Sequence, residues 1–224
     1  MEPADDHTCV EPFAVQDCAL VAIATGKIAE NLKELRECLL TVHPECIYYH
    51  FWGGLLRPRF DDPEYHNDFA IWSRYGLQDT VLAERLGIVD PTAFPELETL
   101  RMELIDIIED RLDELPRVPW AKPDKRFYFV RSQTVVFDTH RRIARPAKLA
   151  EVIPAMSVGS IFLHFIDARR RTPGGIDDFT AWLSSCFEGY EALCDNLARV
   201  DPFFSGLTAL RTRLSQVFGA YFGE

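Results

Sequence analysis

The sequence predicts a mainly α-helical protein made of two tandem helical repeat units of about 110 residues, each opening with a short β-hairpin. Three observations predict this class. Residues 13–51 align with residues 127–165 at a constant offset of 114 positions and share eight identities. Leucine-rich stretches with helical spacing follow in both copies. A proline-rich segment separates the copies, which is typical of a connector between folded units.

The domain boundaries follow this repeat. Residues 1–12 form an N-terminal tail, residues 13–115 the first unit, residues 116–126 the connector, and residues 127–224 the second unit. The connector, PRVPWAKPDKR, holds three prolines and four basic residues, a composition that favours a semi-rigid extended chain. We therefore expect each unit to fold around its own core.

Each copy begins with β-branched and aromatic residues, which favour strands. In the second copy these are FYFV at 127–130 and TVVF at 134–137, and their counterparts in the first copy are FAV and LVAI. Two short strands in succession predict a hairpin, with the stronger pattern in the second copy.

Helix start signals come next. Asn31 and Glu34 have the spacing of a capping box, and Pro146 suits the first turn of the matching helix. Pro44 predicts the start of a second helix. A third helix is expected to begin at Asn67 or Asp68, and its counterpart at Asp177 or Asp178, because these side chains cap helices well. Leucine-rich helices after an Asp-Pro turn then complete each unit.

The charges divide with the two copies. Residues 1–115 carry 9 Lys and Arg against 24 Asp and Glu, a net charge of −15, whereas residues 116–224 carry 15 against 11, a net charge of +4. Two interpretations stay open. The charges of solvent-exposed surfaces could have drifted apart after duplication. Alternatively, opposite electrostatic fields could help the two copies dock, or could give the second copy an anionic ligand. A sequence pI near 5.0 argues against a nucleic-acid-binding protein.

The distribution of apolar and basic residues predicts neither a membrane span nor a signal peptide. No apolar run approaches the roughly 20 residues that cross a bilayer, and the N-terminus lacks a basic start followed by an apolar stretch. We therefore expect a cytoplasmic protein with no membrane partner. In that compartment the six cysteines are expected to be buried, unpaired thiols.

His50 and His164 are the leading candidate ligand-binding residues, because an imidazole occupies the same place in both copies. Asp68 and Asp178 could orient these rings for acid–base work, or they could simply cap helices. The alternative for the histidines is also structural, since a ring among Ile, Tyr and Phe side chains often fills space and donates one hydrogen bond. One His and one Asp per copy are too few for a metal site, so no metal or cofactor is expected.

Arginines follow the histidine element in both copies. These candidate ligand-binding residues are Arg57 and Arg59 in the first copy, and Arg169, Arg170 and Arg171 in the second. Guanidinium groups beside an imidazole would suit a phosphate or a carboxylate, although a solvated basic loop explains the same pattern.

Other repeated residues predict a structural framework. They are Asp68, Phe69, Trp72, Asp178, Phe179, Trp182, Arg101 and Arg211. Phe and Trp three residues apart share one helix face, which favours a place in the core. The two framework arginines could form ion pairs with the aspartates. Thr25-Gly26-Lys27 departs from a phosphate-binding loop, since it lacks the preceding glycine and the hydroxyl after the lysine.

The order of these motifs resembles an uncharacterised bacterial and archaeal module of unknown function that occurs in tandem copies. The resemblance runs from Phe13 to Phe222 and implies the fold but no catalytic residues. Because no catalytic motif is present, we expect a non-catalytic binding, regulatory or scaffold module for a protein partner or an anionic small molecule. The alternative is an enzyme or sensor that uses the repeated histidine with its neighbouring arginines. The partner and the oligomeric state are left open.

Overall fold

The computed structural model describes residues 11–56, 64–94, 96–202 and 206–223. The chain is mainly helical, with two long strands, β1 Phe13–Ala29 and β2 Phe127–Ile143. The described helices after β1 are α1 Leu32–Leu39, α2 Pro44–Trp52, α3 Asp68–Tyr75, α4 Thr80–Gly87 and α5 Leu97–Glu114. Those after β2 are α6 Ala147–Val152, α7 Val158–Ile161, α8 Ala168–Arg171, α9 Asp178–Cys186, α10 Glu191–Ala198 and α11 Leu207–Phe222. A π-helix, Phe162–Asp167, joins α7 to α8.

The two strands pair with each other in one two-stranded sheet. The Thr25 hydroxyl donates to the Phe129 carbonyl at 2.6 Å, and the Thr139 hydroxyl donates to the Val15 carbonyl. The residue numbers of β1 increase from Val15 to Thr25 while those of their partners in β2 decrease from Thr139 to Phe129, so the strands run antiparallel. The strand of each sequence copy therefore finds its partner in the other copy.

The expected hairpin within each copy is thus wrong. In β2, Arg131, Ser132 and Gln133 connect the two apolar stretches, and none of them supplies the backbone freedom of a tight turn. The chain therefore runs on as a single strand of 17 residues. The local pattern could identify the strand but not a partner more than a hundred positions away.

The expected tandem arrangement is wrong for the same reason. The chain forms two compact units: a continuous unit of residues 20–134 and a discontinuous unit of residues 1–19 and 135–224. The continuous unit combines the helices of the first copy with the beginning of β2. The discontinuous unit combines the helices of the second copy with the beginning of β1. Each unit therefore takes a strand segment from the other sequence copy.

Because each compact unit includes a strand segment of the other copy, the units do not show the charge difference between the sequence copies. The continuous unit has 14 Lys and Arg against 20 Asp and Glu, a net charge of −6, and the discontinuous unit has 10 against 15, a net charge of −5. The basic connector falls in the first of these units and the acidic N-terminus in the second. The two compact units therefore do not carry opposite net charges.

Helix caps confirm several predicted boundaries. Asn31 accepts from the backbone N–H of Glu34, whose carboxylate accepts from the backbone N–H of Glu30, so the capping arrangement forms one residue further back than in the standard box. Asn67 and Asp177 cap α3 and α9 through the amides three residues on. Both caps are buried, and burial raises the pKa of Asp177. These caps fix where the site-bearing helices begin.

Cys186 is disulfide-bonded, whereas Cys18, Cys38, Cys46 and Cys194 are free thiols. The expectation of unpaired cysteines is therefore wrong at Cys186. Within the described residues, no helix is both long and apolar enough to cross a bilayer.

Candidate functional site

His50 lies in α2 of the continuous unit and is 4% exposed. Its Nδ1 is 2.9 Å from Oδ2 of Asp68, the first residue of α3. Its Nε2 accepts from the backbone N–H of Val130 in β2 at 3.2 Å. The histidine therefore ties two helices to the strand segment that comes from the second copy.

His164 makes the same three-part contact in the discontinuous unit, where it is 2% exposed. Its Nδ1 is 2.8 Å from Asp178 Oδ2, and its Nε2 accepts from the backbone N–H of Gln16 at 2.9 Å. Gln16 and Val130 occupy the same position of the two copies, since they are 114 residues apart. We call each set of histidine, aspartate and strand amide a His–Asp clamp.

Aromatic rings enclose each clamp. Phe127 lies 4.7 Å from His50 and 5.2 Å from Phe69 between ring centroids. In the discontinuous unit, Phe13 takes the place of Phe127, at 4.9 Å from His164 and 5.2 Å from Phe179. Ring packing of this kind excludes water from the imidazole.

The framework tryptophans also hold the strands. Trp72 Nε1 donates to the Lys125 carbonyl at 2.6 Å, and Trp182 Nε1 donates to the Glu11 carbonyl at 3.0 Å. Lys125 and Glu11 are again equivalent positions of the two copies. Each tryptophan therefore fixes the residues just before the strand that its unit borrows.

These contacts decide the chemistry of the imidazoles. Because Nε2 accepts a hydrogen bond from a backbone N–H, it carries no proton. The proton of the ring is therefore on Nδ1, and this N–H donates a hydrogen bond to the aspartate carboxylate. Both nitrogens are thus occupied by protein groups, and the ring is closed to solvent. The clamps are therefore built to hold structure, since neither ring presents a nitrogen to a ligand.

The arginines of the second copy are partly exposed and contact protein groups. Arg171 donates to Asp167 Oδ2 at 2.8 Å and to Asp178 Oδ2 at 3.2 Å. Arg170 also contacts Asp167, and the Arg169 guanidinium lies 4.8 Å from the centroid of the Phe165 ring. Arg171 therefore supports the carboxylate of the clamp. The other predicted arginines, Arg57 and Arg59, lie outside the described residues.

Arg101 and Arg211 hold the turn after the first helix of each copy. Arg101 donates to the Val42 carbonyl at 2.8 Å and to the Leu39 carbonyl, and Arg211 donates to the Met156 carbonyl at 2.8 Å. Neither pairs with Asp68 or Asp178, so the expected ion pairs are wrong. Carbonyls left unpaired at a helix end explain why a guanidinium is kept there.

Sequence reasoning missed the strand amides of both clamps and the enclosing rings of Phe13 and Phe127. A signal for the rings was present, because this phenylalanine is one of the eight identities between the copies. Nothing local marks a backbone amide as a partner. Among the described residues, no group of three or more His, Cys, Asp or Glu side chains is placed to hold a metal ion.

Comparison with known proteins places this architecture in a class. The chain belongs to a family of unknown function, DUF5752, whose model matches residues 10–219 and so spans both sequence copies. The structure of OrfY from Thermoproteus tenax is similar, with a TM-score of 0.82 and 24% sequence identity, over 98% of this chain and 100% of that chain. This likeness establishes the fold. Comparison with the curated proteins finds no match.

Proposed function

We propose that this chain is a non-catalytic binding module that acts in the cytoplasm as a regulator or scaffold. One observation carries the proposal: both repeated histidines are enclosed, with each ring nitrogen hydrogen-bonded to a protein group. A residue kept in both copies to hold strands explains the repeat without catalysis. Ligand recognition then belongs to positions where the copies differ.

The alternative function, an enzyme or sensor that uses the repeated histidines, has little support. A general base must come within about 2.6–3.2 Å of the proton that it removes, directly or through one water. His50 and His164 have no nitrogen available for such a contact. Arg171, the best placed neighbouring cation, is occupied by Asp167 and Asp178.

The partner class follows from charge. Each compact unit is acidic overall, so the general field of the unit repels an anion. A protein partner can use either acidic surface. An anionic small molecule needs a local group of basic side chains that no carboxylate neutralises.

Diethylpyrocarbonate labelling tests the role of the histidines, since the reagent acylates accessible imidazole nitrogens. We expect His43, His66 and His140, which are exposed, to react in the native protein. His50 and His164 should react at least tenfold more slowly and gain reactivity only on unfolding in urea. Peptide mapping by mass spectrometry reads each site in one sample.

Labelling of either clamp histidine at the rate of His140 would overturn the proposal, because that histidine would be available to a substrate. A second readout is a thermal-shift screen against metal ions, phosphate and nucleotides. Any ligand-induced shift should persist in His164→Gln as in the control His66→Gln. Its selective loss in His164→Gln would favour the enzyme or sensor.

The cytoplasmic placement has its own check at Cys186. A reducing compartment would keep this cysteine as a thiol in the cell, although the folded chain can place it in a disulfide. Differential alkylation of freshly lysed cells, followed by mass spectrometry, measures its state. Fully oxidised Cys186 would contradict the cytoplasmic placement.

A further inference from the structure

The continuous unit contains a cavity of about 310 Å³ beside the turn between α1 and α2. Its walls come from β1, this turn and β2. The lining residues are Ile23, Ala24, Thr25, Lys27, Thr41, Val42, His43 and Arg131. The volume lies at the lower end of the range of small-molecule sites, roughly 300–1,000 Å³. All of its walls belong to one compact unit.

Basic groups in this cavity keep free hydrogen-bond donors. Lys27 Nζ donates to Thr41 Oγ1 at 2.5 Å, which leaves two of its three N–H groups. His43 Nδ1 accepts from the Glu45 amide at 3.2 Å, so a neutral ring carries its proton on Nε2 and can donate it. Within the described residues, Arg131 makes no hydrogen bond or ion pair, and its five N–H donors are all free.

In the described part of the chain, no carboxylate forms an ion pair with Lys27, His43 or Arg131. The lining residues, all in the described part of the chain, include no Asp or Glu. The effect extends to the neighbouring thiol of Cys46: burial raises its pKa, and the charges of Arg101, Arg131 and Lys27 act in the opposite direction. A local positive region therefore exists within an acidic unit.

The two copies differ at this place, although they match at the clamps. The positions equivalent to Lys27, His43 and Arg131 are Arg141, Ser157 and Asp17. A carboxylate thus replaces the guanidinium in the discontinuous unit, where Asp17 accepts from the Cys18 amide at 2.8 Å. The clamp is a shared framework, whereas the three basic residues of this cavity are not all repeated at the equivalent positions of the other copy.

We propose that the Lys27–His43–Arg131 cavity binds the phosphate group of a small phosphorylated molecule. The assignment rests on the proposed binding function and names its ligand class. Three separate segments line the space with residues that carry ammonium, imidazole and guanidinium donors, a set that suits a tetrahedral anion with several acceptor oxygens. Ile23, Ala24 and Val42 supply an apolar wall for the organic part of the ligand.

Titration of the full chain with inorganic phosphate tests this site, with ³¹P NMR and calorimetry at low ionic strength. Glycerol phosphate, sulfate and acetate serve as further probes that separate an ester, a general tetrahedral anion and a carboxylate. We expect saturable binding of one phosphate per chain. Arg131→Gln and Lys27→Gln should each weaken it at least tenfold, and Arg131→Lys should weaken it less, because a charge remains.

Arg141→Gln is the matched control, since it removes one positive charge at the position equivalent to Lys27 and should change the affinity less than twofold. Circular dichroism and thermal unfolding verify that each variant is folded. Absence of saturable phosphate binding, or equal weakening by Arg141→Gln, would overturn the assignment. Stronger binding of acetate than of phosphate would also overturn it. None of these results would alter the diethylpyrocarbonate labelling of the histidines, which tests the proposed function. A failure of the phosphate-site proposal can therefore be distinguished from a failure of the proposed function.

Discussion

Replacing His50 by phenylalanine tests how strongly a clamp stabilises the fold. The new ring keeps most of the volume but removes both nitrogens. The Val130 amide loses its acceptor, which costs about 1–3 kcal/mol for a buried donor. Asp68 loses a hydrogen bond to a charged group, worth about 1.5–3 kcal/mol. Because the Asp68 side chain is 25% exposed, water replaces part of this second contribution. We expect a loss of about 3 kcal/mol in the free energy of unfolding.

The same change at His164 is expected to cost less, about 2 kcal/mol, because Asp178 retains the guanidinium of Arg171. Urea denaturation followed by circular dichroism and tryptophan fluorescence measures both values. His66→Phe is the control, and this exposed position should change stability by less than about 0.5 kcal/mol. If His50→Phe stays within about 1 kcal/mol of the wild type, the clamp is not the stabilising element derived above.

Three further predictions concern the strands and their contacts. Gly26 and His140 are equivalent positions, and both have positive φ, 76° and 60°. In urea denaturation, Gly26→Ala should therefore destabilise the protein and His140→Gly should stabilise it, each by about 1 kcal/mol. Changes of the same sign in the free energy of unfolding would refute this. Gly159→Ala would place a Cβ against Asp17 Oδ1 and the Cys18 carbonyl oxygen and should cost about 1–3 kcal/mol. An unchanged melting temperature would contradict that close approach. Burial raises the pKa of the Cys18 thiol to about 12, so the folded state keeps a proton that the unfolded chain releases above its ordinary value near 9. Stability should therefore fall as pH rises from 9 towards 12, with a shallower slope in Cys18→Ala; identical slopes would be inconsistent with this shift.

The sequence predicted the parts of the fold that depend on local interactions. Asn31 and Asn67 cap the helices that their side chains suggested, because capping needs only an amide two or three residues away. The repeated His, Asp and Trp residues also marked the places where, inside each unit, the helices contact the strand segment. Their partners in the strands were invisible, since a backbone amide has no sequence signature.

The basic cavity was beyond prediction for a related reason. Lys27 belongs to a Thr-Gly-Lys segment that departs from phosphate-binding loops, and Arg131 lies more than a hundred residues away in β2. Pairing of β1 with β2 brings both into one wall of the continuous unit. Their meeting depends on strand register, which the sequence pattern leaves undefined.

By itself, the sequence determined that the chain is mainly helical, because helix periodicity and capping are local properties, and its internal identities placed His50 and His164 at equivalent positions. Only the tertiary structure decided which strand covers which helices. Both copies carry the same apolar pattern, so a strand segment from either copy satisfies the same helices. The absence of a turn inside β2 removes the hairpin, and the exchange that follows sets the composition of each unit and its cavity.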